Sequence, residues 1–252
     1  MKKKITSALI FTFAITMSFA QDTMYVRQKL GRLLKYPISN VDSVFFKNPN
    51  DAATIDGYTY PIVKIGTQTW MAENLRTTKY NNGTPIPLIT NTTAPSTPAM
   101  FWNKNDSISS QTNKYGALYN WYAINAGEIC PKGWHVPSND EWTTMINYLG
   151  TNPGLQLKST TGWNMYFNAS GNGTNSSGFN ALPAPTRTAN GTFGSIGTST
   201  GWWTSTESSK TSVSPPYAKT SAFGQGLSYT NSAVTDFENI KENGNAIRCI
   251  RD

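Results

Sequence analysis

Few side chains in this 252-residue sequence have both the type and the spacing that catalysis requires. Residues 197–201 read Gly-Thr-Ser-Thr-Gly and fit the G-x-S-x-G pattern of a hydrolase nucleophile. That mechanism needs a strand before the serine, a helix after it and a histidine later in the chain. Two tryptophans follow the motif, and the single histidine, His135, lies upstream of it. We therefore interpret 197–201 as a glycine-rich turn and His135 as a packing or hydrogen-bonding residue.

Metal-ligating patterns are also scarce. A single histidine excludes sites built from several imidazoles. Calcium needs several oxygen ligands, usually from clustered carboxylates, and the tight acidic pairs of the sequence are Asp140-Glu141 and Asp236-x-Glu238. No EF-hand spacing occurs. The sequence therefore predicts no metal site and no cofactor, with calcium left open as the alternative.

The tryptophans give the strongest indication of a binding site. Trp202 and Trp203 are consecutive, so in a strand their rings point to opposite faces, and one is expected to be exposed unless a loop covers it. An exposed ring beside polar residues such as Glu207 would stack on a sugar or hold a peptide. Trp102, inside a long loop-like segment, is a second candidate. The favoured interpretation is nevertheless that these rings fill an irregular core.

The N-terminal residues indicate export. Residues 2–4 are lysines, an apolar run follows, and Ser18-Phe19-Ala20 places small residues where a signal peptidase requires them. We predict that residues 1–20 are a signal peptide and that the mature protein is secreted, periplasmic or at the cell surface. An uncleaved N-terminal anchor is the alternative. No later segment of the sequence is long and apolar enough to span a bilayer.

The two cysteines, Cys130 and Cys249, are distant in sequence and lack a CxxC motif. In an exported protein, a disulfide between them is the expected state. Such a bridge would join the middle of the chain to its last predicted strand. A pair of functional thiols is the alternative.

The positive charge of the chain is concentrated near its N-terminus. The formal net charge is +7, of which residues 2–4 supply three charges and residues 21–50 a net three more, leaving +1 for residues 51–252. Nucleic-acid binders concentrate basic residues on one face or along one helix. Residues 51–252 contain no such run, so no nucleic-acid partner is predicted.

Most of the sequence predicts short strands and loops. Residues 24–26, 33–36 and 41–46 are strand-like, and residues 58–65 and 68–71 predict a hairpin around Gly66-Thr67. Residues 81–113 are rich in Asn, Thr, Ser and Pro and predict a long surface excursion. Residues 115–124 fit either a strand or a helix, and residues 246–250 predict a buried last strand.

One helix is clearly indicated. Ser138 is a good N-cap, and Glu141 three residues later completes a capping box. Residues 142, 145, 146 and 149 are apolar at helical spacing, so one side of the helix is expected to face the core. Gly150 is expected to end it.

Residues 130–142 read Cys-Pro-Lys-Gly-Trp-His-Val-Pro-Ser-Asn-Asp-Glu-Trp, which resembles the hallmark of the Fibrobacter succinogenes major paralogous domain. Further motifs of that domain occur in its order, at residues 56–58, 64–75, 115–121, 178–184, 203–207 and 247–249. The domain occurs on exported bacterial proteins and has no generally assigned activity. Its Gly-Trp-x-x-Pro-x-x-x-Glu-Trp element is similar to one in formylglycine-generating enzymes.

The resemblance implies an α+β protein with the C-type-lectin-like, formylglycine-generating-enzyme-like fold, built from short twisted strands, few helices and long loops. It gives Cys130 and Cys249 a structural place. Formylglycine-generating chemistry requires reactive cysteines close together late in the chain, where only Cys249 lies, so that activity is not expected. Glycan-binding motifs of true C-type lectins are not found.

Together these observations predict a signal peptide (1–20), a short β-rich segment and linker (21–50) and one major paralogous domain (51–252). The expected function is an exported binding or assembly module, recognising a glycan or a cell-surface protein, without catalysis. Trp102, Trp202, Trp203 and Glu207 are the predicted binding residues. An enzyme on the formylglycine-generating scaffold and a purely structural envelope component are the alternatives.

Overall fold

The computed structural model describes residues 53–112, 114–211 and 220–252, and three short strands nearer the N-terminus. The chain divides into two compact units, Met1–Asn48 and Pro49–Asp252. The first unit contains a three-stranded sheet of β1 (Ile5–Thr6), β2 (Thr23–Arg27) and β3 (Leu33–Pro37), with β2 antiparallel to β3. The strand-like runs predicted at 24–26 and 33–36 are thus found. The run at 41–46, and all of the predicted signal peptide except β1, lie outside the described residues.

The second unit is an α+β domain of small, mostly antiparallel sheets with few helices. Its two larger sheets have the strand orders β10-β18-β7-β6 and β15-β16-β17, and the remaining strands form two-stranded hairpins and ribbons. The strands are β4 (Ala53–Ile55), β5 (Tyr58–Tyr60), β6 (Ile62–Ile65), β7 (Gln68–Met71), β8 (Met100–Phe101), β9 (Leu118–Tyr119), β10 (Trp134–His135), β11 (Met165–Tyr166), β12 (Ala169–Ser170), β13 (Thr186–Arg187), β14 (Phe193–Gly194), β15 (Ser199–Thr211), β16 (Thr220–Ser228), β17 (Val234–Ile240) and β18 (Ile250–Arg251).

The helices are short. In the described part of the chain they are α1 (Ser107–Thr112), α2 (Trp121–Asn125), α3 (Asn139–Leu149) and α4 (Pro153–Leu157), and a 3-10 turn lies at Asn103–Asn105. None of the helices in the described part of the chain has the length and apolarity needed to span a bilayer.

Helix α3 forms as its capping residues predict. The Ser138 hydroxyl accepts a hydrogen bond from the Glu141 backbone, and the Glu141 carboxylate accepts one from the Ser138 backbone. Trp142 and Met145 are buried on the core side, and Gly150 follows the helix with a positive φ of 64°. The capping box satisfies two amide groups that the first helical turn leaves without intrahelical partners.

The predicted hairpin around Gly66-Thr67 is confirmed for residues 62–65 and 68–71, because β6 and β7 pair antiparallel from Ile62↔Met71 to Ile65↔Gln68. Residues 58–60, predicted as part of its first strand, form the separate strand β5, which pairs with β4. The ambiguous stretch 115–124 is divided between β9 and the start of α2. Its Asn120 lies between the two elements and caps α2 by accepting a hydrogen bond from the Ala123 backbone.

The prediction that 81–113 is a surface excursion is wrong at residues 99–102. Ala99, Met100, Phe101 and Trp102 are all buried, and Met100–Phe101 pairs with β9. The expected last strand is also shorter than predicted. Residues 246–250 are buried, but regular pairing begins at Ile250.

The predicted disulfide is present. Cys130 and Cys249 are bonded with a Cα–Cα distance of 6.0 Å, and both side chains are buried. Cys130 precedes β10 and Cys249 precedes β18, and these two strands pair with each other. The bridge therefore links two neighbouring strands of the sheet β10-β18-β7-β6, close in sequence to the start of α3.

A cluster of aromatic rings fills the core between this sheet and α3. Trp70, Trp142, Phe179 and Trp202 lie with ring centroids 5.0 to 5.9 Å apart, mostly edge to face. Such pairs add about 0.5–1.5 kcal/mol each beyond the burial of apolar area. The sequence's many tryptophans therefore serve packing in this part of the fold.

Candidate functional site

The hypothesis that one of Trp202 and Trp203 is exposed is wrong, and the favoured interpretation, that these rings fill the core, is confirmed. Their rings do point to opposite faces of β15, but both are fully buried. Trp202 packs with Trp142 in the aromatic core, and Trp203 packs in a second cluster with Trp121 and Phe237. Helix α2 and strand β17 thus supply the cover that the sequence could not show, and neither indole has a free face for a ligand.

Trp102 and Glu207 lie elsewhere. Trp102 is 6% exposed and belongs to a third cluster, where its ring lines a cavity of about 300 Å³ together with Asp56, Tyr58 and Arg76. Glu207 is exposed toward the far end of β15 and forms an ion pair with Lys241. The four predicted binding residues are therefore not brought together into one surface.

The cavity beside Trp102 adjoins charged residues that are already paired. Glu73 accepts hydrogen bonds from Tyr58 (2.7 Å), Arg76 (2.8 Å) and Lys114 (2.8 Å). Burial alone would raise the pKa of Glu73, but the hydrogen bonds from Lys114 and Tyr58 and the two positive charges lower it. The carboxylate is thus ionised and satisfied by its neighbours, as in a structural ion-pair network.

A second cavity, which we call the polar cleft, lies on the sheet β15-β16-β17 and has a volume of about 310 Å³. Its lining is dominated by hydroxyl and carboxamide side chains. These are Thr186, Thr188, Ser195, Ser199, Thr200, Ser228, Thr235, Asn239, Asn243 and Asn245. Arg187, Gly201, Gly226, Leu227 and Phe237 complete it.

The register of the sheet explains the shape of the cleft. Gly201 pairs with Gly226, and Gly224 pairs with both Trp203 and Phe237. These three glycines leave a gap between the side chains on that face of the sheet, and the Phe237 ring lies across them. A Cβ on Gly201 would come within 3.0 Å of that ring, and one on Gly224 would come closer still. Only glycine leaves room for the ring there.

A buried polar atom without a partner among the described residues faces this region. Asn245 is 1% exposed, and among the described residues its Nδ2 has no hydrogen-bond partner. Its Oδ1 would lie 3.5 Å from a Cβ built on Gly201, which places the carboxamide against the cleft floor. Thr200, 2% exposed, also has a hydroxyl without a partner in the described part of the chain, but it pairs with Leu227 and its side chain lies on the opposite face of the sheet from Gly201. Buried polar groups are nearly always hydrogen-bonded, so the Asn245 amide marks the cleft as a place for a polar ligand.

Arg187 supplies the one formal charge of the lining. Its guanidinium donates to the carbonyls of Asn91 (2.9 Å) and Thr93 (3.0 Å) and lies over the Phe101 ring at 4.2 Å. Burial lowers its pKa. Because its donors are directed at backbone oxygens, Arg187 holds the 91–93 loop against the cleft wall.

The residues of the cleft have a weak signature in the sequence. Thr235, Phe237 and Asn239 alternate along β17 and so lie on one face, and Gly224-x-Gly226 alternates along β16. This two-residue alternation is the feature of the sequence from which the cleft face could have been predicted. It does not indicate a functional site, because threonine, asparagine and glycine are common throughout this sequence.

His135 is held between two carboxylates. Its Nδ1 lies 2.6 Å from Asp252, and its Nε2 lies 2.7 Å from the N-terminal-turn carboxylate of Glu141. Burial alone would lower the pKa of His135, but the hydrogen bonds with Asp252 and Glu141, and their charges, raise it above its usual value. The imidazole thus links β10, the end of the chain and α3, which agrees with the hydrogen-bonding role predicted for it.

We expect the stabilisation from His135 to depend on pH. A raised pKa means that this contribution is fully present below about pH 6.5, the pKa of an unfolded histidine, and is lost as the pH rises through the higher folded pKa. Thermal unfolding of the protein and of His135→Gln between about pH 5 and pH 9 checks this. The difference in melting temperature should be greatest at the acidic end, and a difference that does not vary with pH would contradict the assignment.

Among the described residues, no group of three or more His, Cys, Asp or Glu side chains is arranged to hold a metal ion. The acidic pairs singled out in the sequence have other partners. Glu141 caps α3 and binds His135, and Asp236 accepts a hydrogen bond from Gln225.

Comparison with known proteins identifies one family. Residues 63–251 match the family described as the Fibrobacter succinogenes major domain. This range contains the disulfide, α3 and every residue of the polar cleft. No curated protein and no solved structure is significantly similar to the chain.

Proposed function

Because the chain belongs to the Fibrobacter succinogenes major domain family, we propose that it is an exported module that binds a neutral glycan in the polar cleft. We also propose the C-type-lectin-like, formylglycine-generating-enzyme-like fold for residues 51–252. The small antiparallel sheets, the few helices and the disulfide ahead of α3 support that fold. The predicted signal peptide and the disulfide support an extracytoplasmic location.

The observation that carries the glycan proposal is the buried Asn245 side chain, whose Nδ2 has no partner among the described residues, at the floor of a cleft lined with hydroxyls and amides. Sugar hydroxyls both donate and accept hydrogen bonds, as do the side chains of Asn, Ser and Thr. The half-buried Phe237 ring offers an apolar surface of the kind on which a sugar ring stacks. The cleft volume is at the lower end of small-molecule sites, roughly 300–1,000 Å³. A short saccharide, or one unit of a longer one, suits that size.

The same lining favours binding over catalysis. Proton transfer and nucleophilic attack use carboxylates, imidazoles, thiols or activated hydroxyls. Among the described residues, those that line the cleft include no Asp, Glu, His or Cys, so the described lining offers no general base to its hydroxyls. Both cysteines of the sequence are joined in the disulfide, which leaves no thiol for formylglycine-generating chemistry.

A glycan array and a panel of immobilised polysaccharides (cellulose, xylan, mannan and β-glucan) test the proposal. We expect the protein to bind at least one neutral glycan, and Phe237→Leu to weaken that binding about tenfold, which corresponds to the loss of one stacking contact of about 1.4 kcal/mol. Leucine keeps apolar volume over the glycine floor but removes the aromatic face. Adding EDTA should leave binding unchanged, because the cleft has no carboxylate to hold calcium.

Matched controls separate the cleft from the fold. Thr235→Ala removes an exposed hydroxyl of the cleft and should also weaken binding, whereas Thr54→Ala removes an exposed hydroxyl of β4 and should not. Thermal unfolding shows whether each variant is folded. Binding to peptides but to no glycan, or glycan binding that is equal in all variants, would overturn the proposal.

A further inference from the structure

A hairpin of exposed apolar residues lies next to the polar cleft. Strands β11 and β12 pair as Met165↔Ser170 and Tyr166↔Ala169, and Phe167 and Asn168 form the turn between them. Met165 is 65% exposed and Phe167 is 85% exposed. Folded proteins have little reason to hold neighbouring large apolar side chains in water, and such patches commonly mark binding surfaces.

The turn of this hairpin is an unusual place for an aromatic residue. Phe167 has a φ of 44° and Asn168 a φ of 64°, the left-handed conformation that two-residue hairpin turns require. Asparagine and glycine adopt this conformation readily, but a bulky side chain rarely does. The backbone at Phe167 is therefore strained, and the exposed side chain contributes little buried apolar area to offset that strain. Strain of this kind is concentrated at functional sites, where the side chain is needed for a ligand.

Two contacts join the hairpin to residues that adjoin the cleft. The Asn164 backbone, just before β11, donates to the Gly197 carbonyl (2.7 Å), and Gly197 lies between the cleft residues Ser195 and Ser199. The Tyr166 ring packs edge to face on the Tyr229 ring at 5.5 Å. Tyr229 directly follows Ser228 of the cleft, and its backbone donates to Thr198. The aromatic hairpin is thus attached to the cleft's own rim.

We propose that Tyr166 and Phe167 form a stacking subsite for sugar units that extend beyond the polar cleft, so that the ligand is an oligosaccharide or polysaccharide chain. This inference rests on the proposed glycan binding. The cleft has room for a short saccharide, and the hairpin offers aromatic surface without any charged side chain from residue 165 to residue 170. Uncharged aromatic surface lies next to a polar cleft whose charged residue, Arg187, donates to backbone carbonyls. This combination matches the alternating apolar and hydroxyl faces of a neutral sugar chain.

Chain-length dependence of binding tests this inference. The probes are cello-, xylo-, manno- and laminari-oligosaccharides of two to six units, measured by titration calorimetry. We expect the hexasaccharide of the recognised series to bind about tenfold more tightly than the disaccharide. Phe167→Gly should remove most of that gain, about three- to tenfold for the hexasaccharide, and leave disaccharide binding unchanged.

The glycine variant also distinguishes a binding role from a structural one. Glycine adopts the left-handed conformation without strain, so Phe167→Gly should unfold at the same temperature as the natural protein or higher. Tyr148→Ala is the matched control, because Tyr148 is a 67% exposed aromatic side chain on α3. That variant should bind both lengths as the natural protein does.

The possible results separate the two proposals. Equal affinity for short and long saccharides, or a length gain that Phe167→Gly does not reduce, would overturn the hairpin subsite and leave the cleft proposal standing. Binding of none of the four series, at any length, would overturn the glycan proposal and this inference with it.

Discussion

Replacing Cys130 and Cys249 together with alanine is expected to lower the free energy of unfolding by about 5 kcal/mol. The bridge spans a sequence separation of 119 residues, and closing a loop of that length removes a large part of the conformational entropy of the unfolded chain. Both side chains are buried, so the lost sulfur atoms also leave small cavities. Urea unfolding of the two proteins measures the difference.

Reduction provides the control for this prediction. Dithiothreitol should shift the unfolding curve of the natural protein toward that of the double-alanine variant and should leave the variant's own curve unchanged. An unfolding curve of the natural protein that is insensitive to full reduction would show that the bridge contributes little to stability.

Asn74→Ala is expected to lower the free energy of unfolding by about 3–5 kcal/mol. This is the second largest effect that we expect for a substitution in this protein. Asn74 is 1% exposed, and its Oδ1 accepts hydrogen bonds from Trp202 (2.8 Å) and from two nitrogens of Arg248 (2.9 and 3.1 Å). Burial lowers the pKa of Arg248 to about 9, so the guanidinium is still charged at neutral pH. Alanine would leave this buried cation without the side-chain acceptor that binds it.

Two variants test whether the acceptor is what matters. Asn74→Asp keeps an oxygen beside Arg248 and should lose much less stability than Asn74→Ala in the same urea titration. Asn125→Ala removes an exposed asparagine at the end of α2 and should change the free energy of unfolding by less than about 0.5 kcal/mol. A loss below about 1 kcal/mol for Asn74→Ala would mean that water or another group replaces the acceptor.

The parts of the fold that could be predicted from the sequence are governed by neighbouring residues. Ser138 and Glu141, which are three positions apart in the sequence, determine the start of α3 by hydrogen bonding to each other. Gly66 allows the turn between β6 and β7. The disulfide was predictable because the sequence contains only two cysteines and an export signal is predicted. The α+β fold class was predicted from the resemblance to the family, because short sequence patterns alone do not determine it.

Burial, in contrast, depends on contacts between distant residues. Trp203 was a reasonable candidate for an exposed ring, since alternation along β15 predicts that one of two consecutive indoles leaves the core. It is covered by Trp121 and Phe237, which come from other parts of the chain. Trp102 lies in a polar, proline-containing segment, but it directly follows β8, and the pairing of β8 with β9 places it in the core.

The polar cleft could not be predicted from the sequence, because it also depends on contacts between distant residues. Its floor exists because Gly201, Gly224 and Gly226 come into register across two strand pairs, and register is fixed by the whole sheet. The sequence does indicate that strands are present here. It does not indicate which residues of β15, β16 and β17 stand opposite each other, and the cleft depends on that alignment.

The position of the covalent bridge has one more consequence. The polar cleft and the aromatic hairpin lie entirely between residues 130 and 249, inside the ring of chain that the bridge closes. A protease that cuts an exposed loop within this ring makes two fragments that stay covalently joined. A nicked molecule can therefore hold the cleft and the hairpin together until a reductant opens the bridge, and a single cut need not release either part.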